Sequence, residues 1–148
     1  MNLRDTVTDF GGKLLNLNHR LLRALSGGRL GDRAFGMPVV ELHTTGRKSG
    51  LRRSNLLTAP LMSDDRVVLV ASKGGDDRHP DWYRNLTDSP DIELTIGGQT
   101  RPMRARTASA EEKSELWPQV VAAYKGYAAY QRRTGRDIPL VICEPPAG

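Results

Sequence analysis

Apolar residues recur at three- and four-residue steps near the start of the chain, at Val7, Phe10, Leu14, Leu17, Leu21 and Leu25, while Lys13, Arg20 and Arg23 fall elsewhere on the wheel. The spacing predicts an amphipathic helix over residues 3–25. Gly27-Gly28 ends it, and Gly31 to Gly36 reads as a linker. Two readings of the apolar face stand: a helix packed on the core, or a basic helix lying on an anionic membrane surface. After Pro38 the period drops to two. Val39, Val40, Leu42 and Thr44 predict a strand from Pro38 to Thr45, Leu56 to Met62 predicts a second, and Val67 to Ser72 a third. Ser63-Asp64-Asp65 supplies the turn that pairs the last two as a hairpin. Pro80 opens a short helix through Leu86, stopped by Asp88-Ser89-Pro90. Ile92, Leu94 and Ile96 alternate with polar residues, and Gly97-Gly98 makes a two-residue turn into Gln99 to Thr107. Ser109 with Glu112 forms a capping box for a helix with an apolar face of Leu116, Val120 and Tyr124, which Pro118 is expected to kink or interrupt. Ile138 to Cys143 reads as a last strand. About six strands, mostly joined by hairpin-length connections, imply an α+β fold around an antiparallel sheet or barrel, not a doubly wound parallel one.

Length and charge narrow this picture. At 148 residues the chain is one domain's worth, with residues 1–36 as helix and linker and 37–148 as the main body. The net charge of +5 is uneven: residues 1–36, 37–58 and 99–148 each carry +3, while 59–98 carry −4. Nucleic-acid binders more often spread basic charge along a face interleaved with aromatics, and aromatics make up only 5% here, so a compact anionic ligand fits better. One cysteine, Cys143, excludes an internal disulfide framework or a thiolate zinc cluster and favours a reducing, cytoplasmic setting. No apolar run is long enough to span a bilayer, and Asp5 and Asp9 stand where a signal peptide needs basic then apolar segments. Membrane contact would therefore be peripheral, through residues 3–25.

The chemistry concentrates in Thr44-Thr45-Gly46-Arg47-Lys48-Ser49-Gly50-Leu51-Arg52-Arg53, which follows the first strand. Four cations lie between Arg47 and Arg53. Glycines bracket Arg-Lys-Ser, so the backbone can adopt positive φ and turn amide N–H groups toward an anion. A planar guanidinium at Arg47 and a mobile ammonium at Lys48, with hydroxyls nearby, suit a phosphate. A second cation beside glycines, Lys73-Gly74-Gly75, follows another strand. The basic loop is no Walker loop, because Arg47 stands before Lys48 where that motif needs glycine, and no G-x-G-x-x-G follows a strand. His19, His43 and His79 have no ligand spacing, so no metal is assigned. Ser49, Ser72 and Cys143 lack a nucleophile elbow or partner base. Tyr124, Tyr127 and Tyr130 fall three apart, so on a helix they would share one face, as packing or as a flat wall with hydroxyl donors. Trp82 and Leu86 read as core, leaving Asn85 to satisfy loop backbone.

Taken in order, Thr44 to Gly50 with Arg53, Ala71-Ser72-Lys73-Gly74-Gly75, His79-Pro80-x-Trp82-Tyr83-x-Asn85-Leu86, Trp117-Pro118, Tyr124 to Tyr130 and Ile138 to Pro145 closely resemble the deazaflavin (F420)-dependent nitroreductases and quinone reductases of actinobacteria. The resemblance covers roughly residues 38–145. It implies a split β-barrel related to FMN-binding flavoproteins, with residues 37–148 as the deazaflavin-binding domain. It also implies hydride transfer from reduced F420 to a quinone, an enone or coumarin, or a nitroaromatic acceptor. The cofactor's phosphodiester and glutamate tail are anionic, as the basic loop requires. By position, the resemblance places Arg47, Lys48, Ser49, Arg53 and Lys73 around that acidic handle and Ser72, Gly74 and Asn85 beside the deazaflavin, with Trp82 as a nearby wall. Tyr124, Tyr127 and Tyr130 would face the acceptor, with Ser72 or a tyrosine hydroxyl bonding to its oxygen. A departure occurs at Asn55-Leu56-Leu57-Thr58, where relatives often have Asn-Pro-Leu and an aromatic. Two rival readings are a non-catalytic F420 or flavin carrier and an FMN-dependent oxidoreductase on the same fold.

Overall fold

The computed structural model describes residues 33–147, so the expected helix over 3–25 lies outside the described residues. Eight strands are described: β1 (Arg33–Ala34), β2 (Met37–Thr45), β3 (Arg52–Thr58), β4 (Leu61–Ser63), β5 (Arg66–Val70), β6 (Asp91–Ile96), β7 (Gln99–Thr107) and β8 (Leu140–Glu144). Three helices accompany them: α1 (Asp81–Asp88), α2 (Ala110–Ala123) and α3 (Gly126–Arg133), with a 3-10 turn at Lys73–Gly75. All pairings are antiparallel, in the order β2-β6-β7-β8-β5-β4, and β1 and β3 both pair with β2. β3 and β4 lie at opposite ends of this sheet yet are joined by Ala59-Pro60 alone, so the sheet curls into a half-barrel.

That junction corrects the expected second strand. Leu56 to Met62 is two strands, because Pro60 cannot donate to a ladder. The part before it pairs with β2 (Val39 opposite Thr58), and only Leu61–Ser63 forms the hairpin with β5. The expected linker also ends earlier: Arg33–Ala34 pairs back on Pro38 and Met37, through a turn where Phe35 and Gly36 have φ of 55° and 77°. The β6–β7 hairpin matches the sequence reading, with Ile96 opposite Gln99 and Gly97 and Gly98 at φ 57° and 82°.

Apolar runs in β5 and β8 follow from burial on both faces. Val67, Leu69, Val141 and Cys143 point into the barrel interior with Leu42, Leu94 and Met103, while Val68, Val70, Leu140 and Ile142 meet Leu116, Val120 and Tyr127 beneath α2 and α3. From α1, Trp82 and Leu86 enter the interior core. Burial pushes the Cys143 thiol up to about 12, which makes it inert packing.

Ser109 begins α2 with a complete capping box: its Oγ accepts the Glu112 N–H (3.1 Å), and Glu112 accepts the Ser109 N–H (2.9 Å). Pro118 sits inside α2 without interrupting it. Arg106 donates to both oxygens of Glu112 (2.8 and 2.9 Å). Hydrogen bonds from Arg106, then from the Ser109 backbone, hold the Glu112 carboxyl at about 2, below the usual carboxylate range. A depressed folded pKa contributes stability that is complete above the ordinary value near 4.5 and is lost as pH falls toward 2. Glu112→Gln is therefore expected to melt below the wild type at pH 7, with the gap closing between pH 4.5 and 2. A gap independent of pH would show that charge plays no part in this cap.

Candidate functional site

β2 delivers the basic loop. Gly46 N–H donates to Leu51 C=O (2.7 Å), Gly50 N–H to Gly46 C=O (2.8 Å) and Leu51 N–H to Ser49 Oγ (3.1 Å). Gly50 has φ of 70°, and a Cβ on Gly46 would lie 2.7 Å from Ser49 Oγ. Arg47 N–H donates to Asn85 Oδ1 (3.2 Å). The amides of Gly46, Arg47, Gly50 and Leu51 therefore hold the loop's own shape, and the loop brings the side-chain charge of Arg47, Lys48 and Arg53 to the same place.

Arg47 is itself aimed. Its Nη1 donates to Asn85 Oδ1 (3.0 Å) and its Nη2 pairs with Asp81 (3.3 Å). Asn85 Nδ2 donates to Thr44 Oγ1 (3.2 Å), and Asn85 is only 4% exposed. Asn85 thus latches the basic loop to α1, and Trp82 and Leu86 anchor that helix in the core. Arg53 Nη2 reaches Ser49 Oγ (3.5 Å), and Arg52 of β3 pairs with Glu93 of β6, two strands that each pair with β2.

The second loop follows β5. Lys73, Gly74 and Gly75 have φ of 47°, 64° and 87°, three left-handed residues in a row. At Gly75 the conformation is enforced by contact, since a Cβ there would lie 2.8 Å from Tyr130 O and 2.9 Å from Arg133 Cβ. Arg133 Nη1 donates to Gly74 C=O (3.2 Å), and its guanidinium lies 5.6 Å from the centre of the Tyr130 ring. Sequence reading missed Arg133, which looks like an ordinary solvated cation in the last turn of α3.

The three tyrosines do not share one helix. Tyr124 caps α2 in an extended conformation, and Tyr127 and Tyr130 belong to α3. Their rings nevertheless cluster, with centroids 5.2 Å (124 and 127), 6.2 Å (127 and 130) and 6.4 Å (124 and 130) apart. Gly126 makes this possible: a Cβ there would lie 2.3 Å from the Tyr124 ring. Phe35 extends the wall at 6.0 Å from Tyr124. Tyr127 is the buried centre. Its hydroxyl bonds with Thr58 Oγ1 (3.0 Å) and reaches Met37 Sδ (3.7 Å), and burial pushes its phenol up to about 12. Tyr124 and Tyr130 are half-buried.

All these parts meet in one cleft of about 1250 Å³. The site residues nominated from the resemblance line it: Arg47, Lys48, Ser49 and Arg53, then Ser72, Lys73 and Gly74, then Trp82 and Asn85, then the three tyrosines. Thr58, Phe35, Asp81 and Arg133 join them unforeseen. One lining thus holds both the cations Arg47, Lys48, Arg53 and Lys73 and the aromatic cluster, which suits a ligand with an anionic handle and flat rings. His43 lies elsewhere as a satisfied core residue, bonded to Ser54 (2.7 Å) and Thr95 (2.8 Å). Among the described residues no group of three or more His, Cys, Asp or Glu could hold a metal ion.

Residues 15–145 match the model of the F420H(2)-dependent quinone reductase family. The chain is 38% identical over 137 residues to an F420H(2)-dependent quinone reductase of Mycobacterium tuberculosis, covering 89% of this chain and 90% of the relative. Among solved structures it resembles an F420-H2 dependent reductase, FDR-A, at a TM-score of 0.65 and 40% identity, covering 72% of this chain and 94% of the other. A domain-swapped dimer is similar at a TM-score of 0.68 and 36% identity, covering 88% and 96%.

Proposed function

The chain belongs to the F420H(2)-dependent quinone reductase family, and from that premise we propose that it is an oxidoreductase that binds reduced F420 in the cleft and reduces a quinone there. The observation that carries this reading is the convergence of two cationic strand-end loops and a tyrosine wall on one cleft. Bound there, reduced F420 supplies a hydride to an electron-poor acceptor. The residues fit such a group without any metal. Arg47, Lys48, Arg53 and Lys73 would hold its phosphodiester and acidic tail, with Ser49 as a hydroxyl donor. Ser72, Gly74 and Asn85 would border the ring system. Asn85 acts mainly through Arg47, because its amide is already spent on the loop. The apolar side of the cleft excludes water from the acceptor. Ser72 and the hydroxyls of Tyr124 and Tyr130 can donate to an acceptor oxygen as negative charge develops on it.

The same flat wall suits enones, coumarins and nitroaromatics, which share a planar, electron-poor shape with quinones. Thr58, small and already bonded to Tyr127, leaves room on that side for a bulky ring. The family's description names F420H(2), which favours that cofactor over FMN.

Because the hydroxyl donors share the task, Tyr124→Phe or Tyr130→Phe is expected to lower kcat by about tenfold or less, the worth of one hydrogen bond of roughly 1 kcal/mol. Tyr127→Phe instead removes a satisfied buried bond and is expected to cost about 1 kcal/mol of stability. A kcat loss confined to Tyr127→Phe would reverse these roles. Oxidation of reduced F420 by menadione tests the function itself, with a coumarin and a nitroaromatic in parallel. Turnover with menadione supports the reading; tight binding without turnover of any acceptor would leave a carrier protein in its place.

A further inference from the structure

Behind the second loop one guanidinium is spent almost wholly on backbone. Arg136, three residues beyond α3 and not among the cleft's lining residues, donates from Nε to Asp76 C=O (2.8 Å) and from Nη2 to Ser72 C=O (2.9 Å) and Ala71 C=O (3.2 Å). Its Nη1 lies 3.1 Å from His79 Nδ1, which accepts the remaining bond. The acceptors span Ala71 to His79, the whole passage from the end of β5 to the start of α1.

The passage needs such a hold. Lys73, Gly74 and Gly75 are all left-handed, and Lys73 has a Cβ that makes this conformation unfavourable by about 1–2 kcal/mol. Strained backbone of this kind persists only where its surroundings over-determine it. The turn's own bonds are few: Gly75 N–H to Ser72 C=O (2.9 Å) and Asp76 N–H to Lys73 C=O (3.1 Å). Arg133 adds one more from the same part of the chain, to Gly74 C=O. A planar fork can serve carbonyls on both flanks of a turn at once, whereas an ammonium is a single point.

We propose that Arg136 is the positioning residue of the cofactor loop: by holding the carbonyls of Ala71, Ser72 and Asp76 it fixes how Ser72 and Lys73 face the cleft, and so sets F420 affinity without touching the cofactor. This rests on the reading of the cleft as the F420 site. His79 fits the same arrangement, since burial and then the charges of Arg136 and Arg84 push its pKa down and keep Nδ1 an acceptor.

The test compares wild type, Arg136→Met and Arg136→Lys, with Arg104→Met, at the exposed pair with Asp91, as control. Three readouts are taken: amide hydrogen exchange at residues 72–76, F420 affinity by fluorescence titration, and kcat at saturating reduced F420. For Arg136→Met, exchange at 72–76 is expected to quicken and Kd to rise, each by about tenfold, while exchange in β6 and β7 holds and kcat stays within about threefold. Arg136→Lys should fall between, and it decides the matter should the Met variant fail to fold. Unchanged exchange at 72–76 in both variants overturns the proposal whatever the Kd. A loosened loop with unchanged Kd also overturns it, as does a loss confined to kcat. A wild-type chain that does not bind F420 overturns the reading of the cleft instead, a result that needs no variant to see.

Discussion

Replacing Arg47 and Lys48 together with alanine is expected to raise the Kd for F420 by about 100-fold or more, while the free energy of unfolding falls by less than about 1 kcal/mol. The two quantities separate because the side chains face different partners. Toward the protein, Arg47 offers an exposed pair with Asp81 and one bond to Asn85, and the Arg47 N–H bond to Asn85 survives in alanine. Toward a phosphodiester, a guanidinium and an ammonium each form charge-assisted bonds in a cleft that partly excludes water, worth about 1.5–3 kcal/mol apiece. Isothermal titration beside a melting curve checks both halves. A steep fall in melting temperature with unchanged affinity would make these residues structural.

Gly75→Ala is expected to lower stability by about 3 kcal/mol, a melting shift of roughly 10 °C for a chain of this size, and to abolish measurable cofactor binding. The new Cβ would lie 2.8 Å from a backbone oxygen, Tyr130 O, which no side-chain rotation relieves, and φ is 87°. Either α3 moves off the loop or the loop moves off the cleft. Gly74→Ala is the contrast: φ is 64°, but nothing lies within 4 Å, so the expected cost is only about 1 kcal/mol. Differential melting of the two variants separates contact from backbone strain, and equal losses would refute the contact argument.

Features fixed by neighbours in sequence were legible before any coordinates. The alternation of Ile92, Leu94 and Ile96 running into Gly97-Gly98 specified its hairpin, and Ser109 with Glu112 specified its cap, because each signal and its consequence lie within a few residues. The basic loop was legible as a concentration of charge at a strand end for the same reason. Its internal bonding was not. The amides at Gly46, Arg47 and Gly50 close on the loop itself and on Asn85, 38 residues from Arg47, a pairing only the tertiary fold creates. The break at Ala59-Pro60 was hidden inside one apolar run, since both sides of it are strand and only the partner changes. The tyrosine spacing grouped three residues through a single helix that does not exist there; Gly126 turns the chain and brings the rings together regardless.

Positive side chains at two strand ends, gripping the acidic handle of F420, carry the proposed function. Fluorescence titration of the purified chain with F420 across a salt series tests this most directly. The expected result is saturable binding at micromolar levels that weakens steadily as salt rises, with the Arg47/Lys48 double variant binding less and responding less to salt. No binding at micromolar F420, or binding indifferent both to salt and to loss of the two cations, would contradict it.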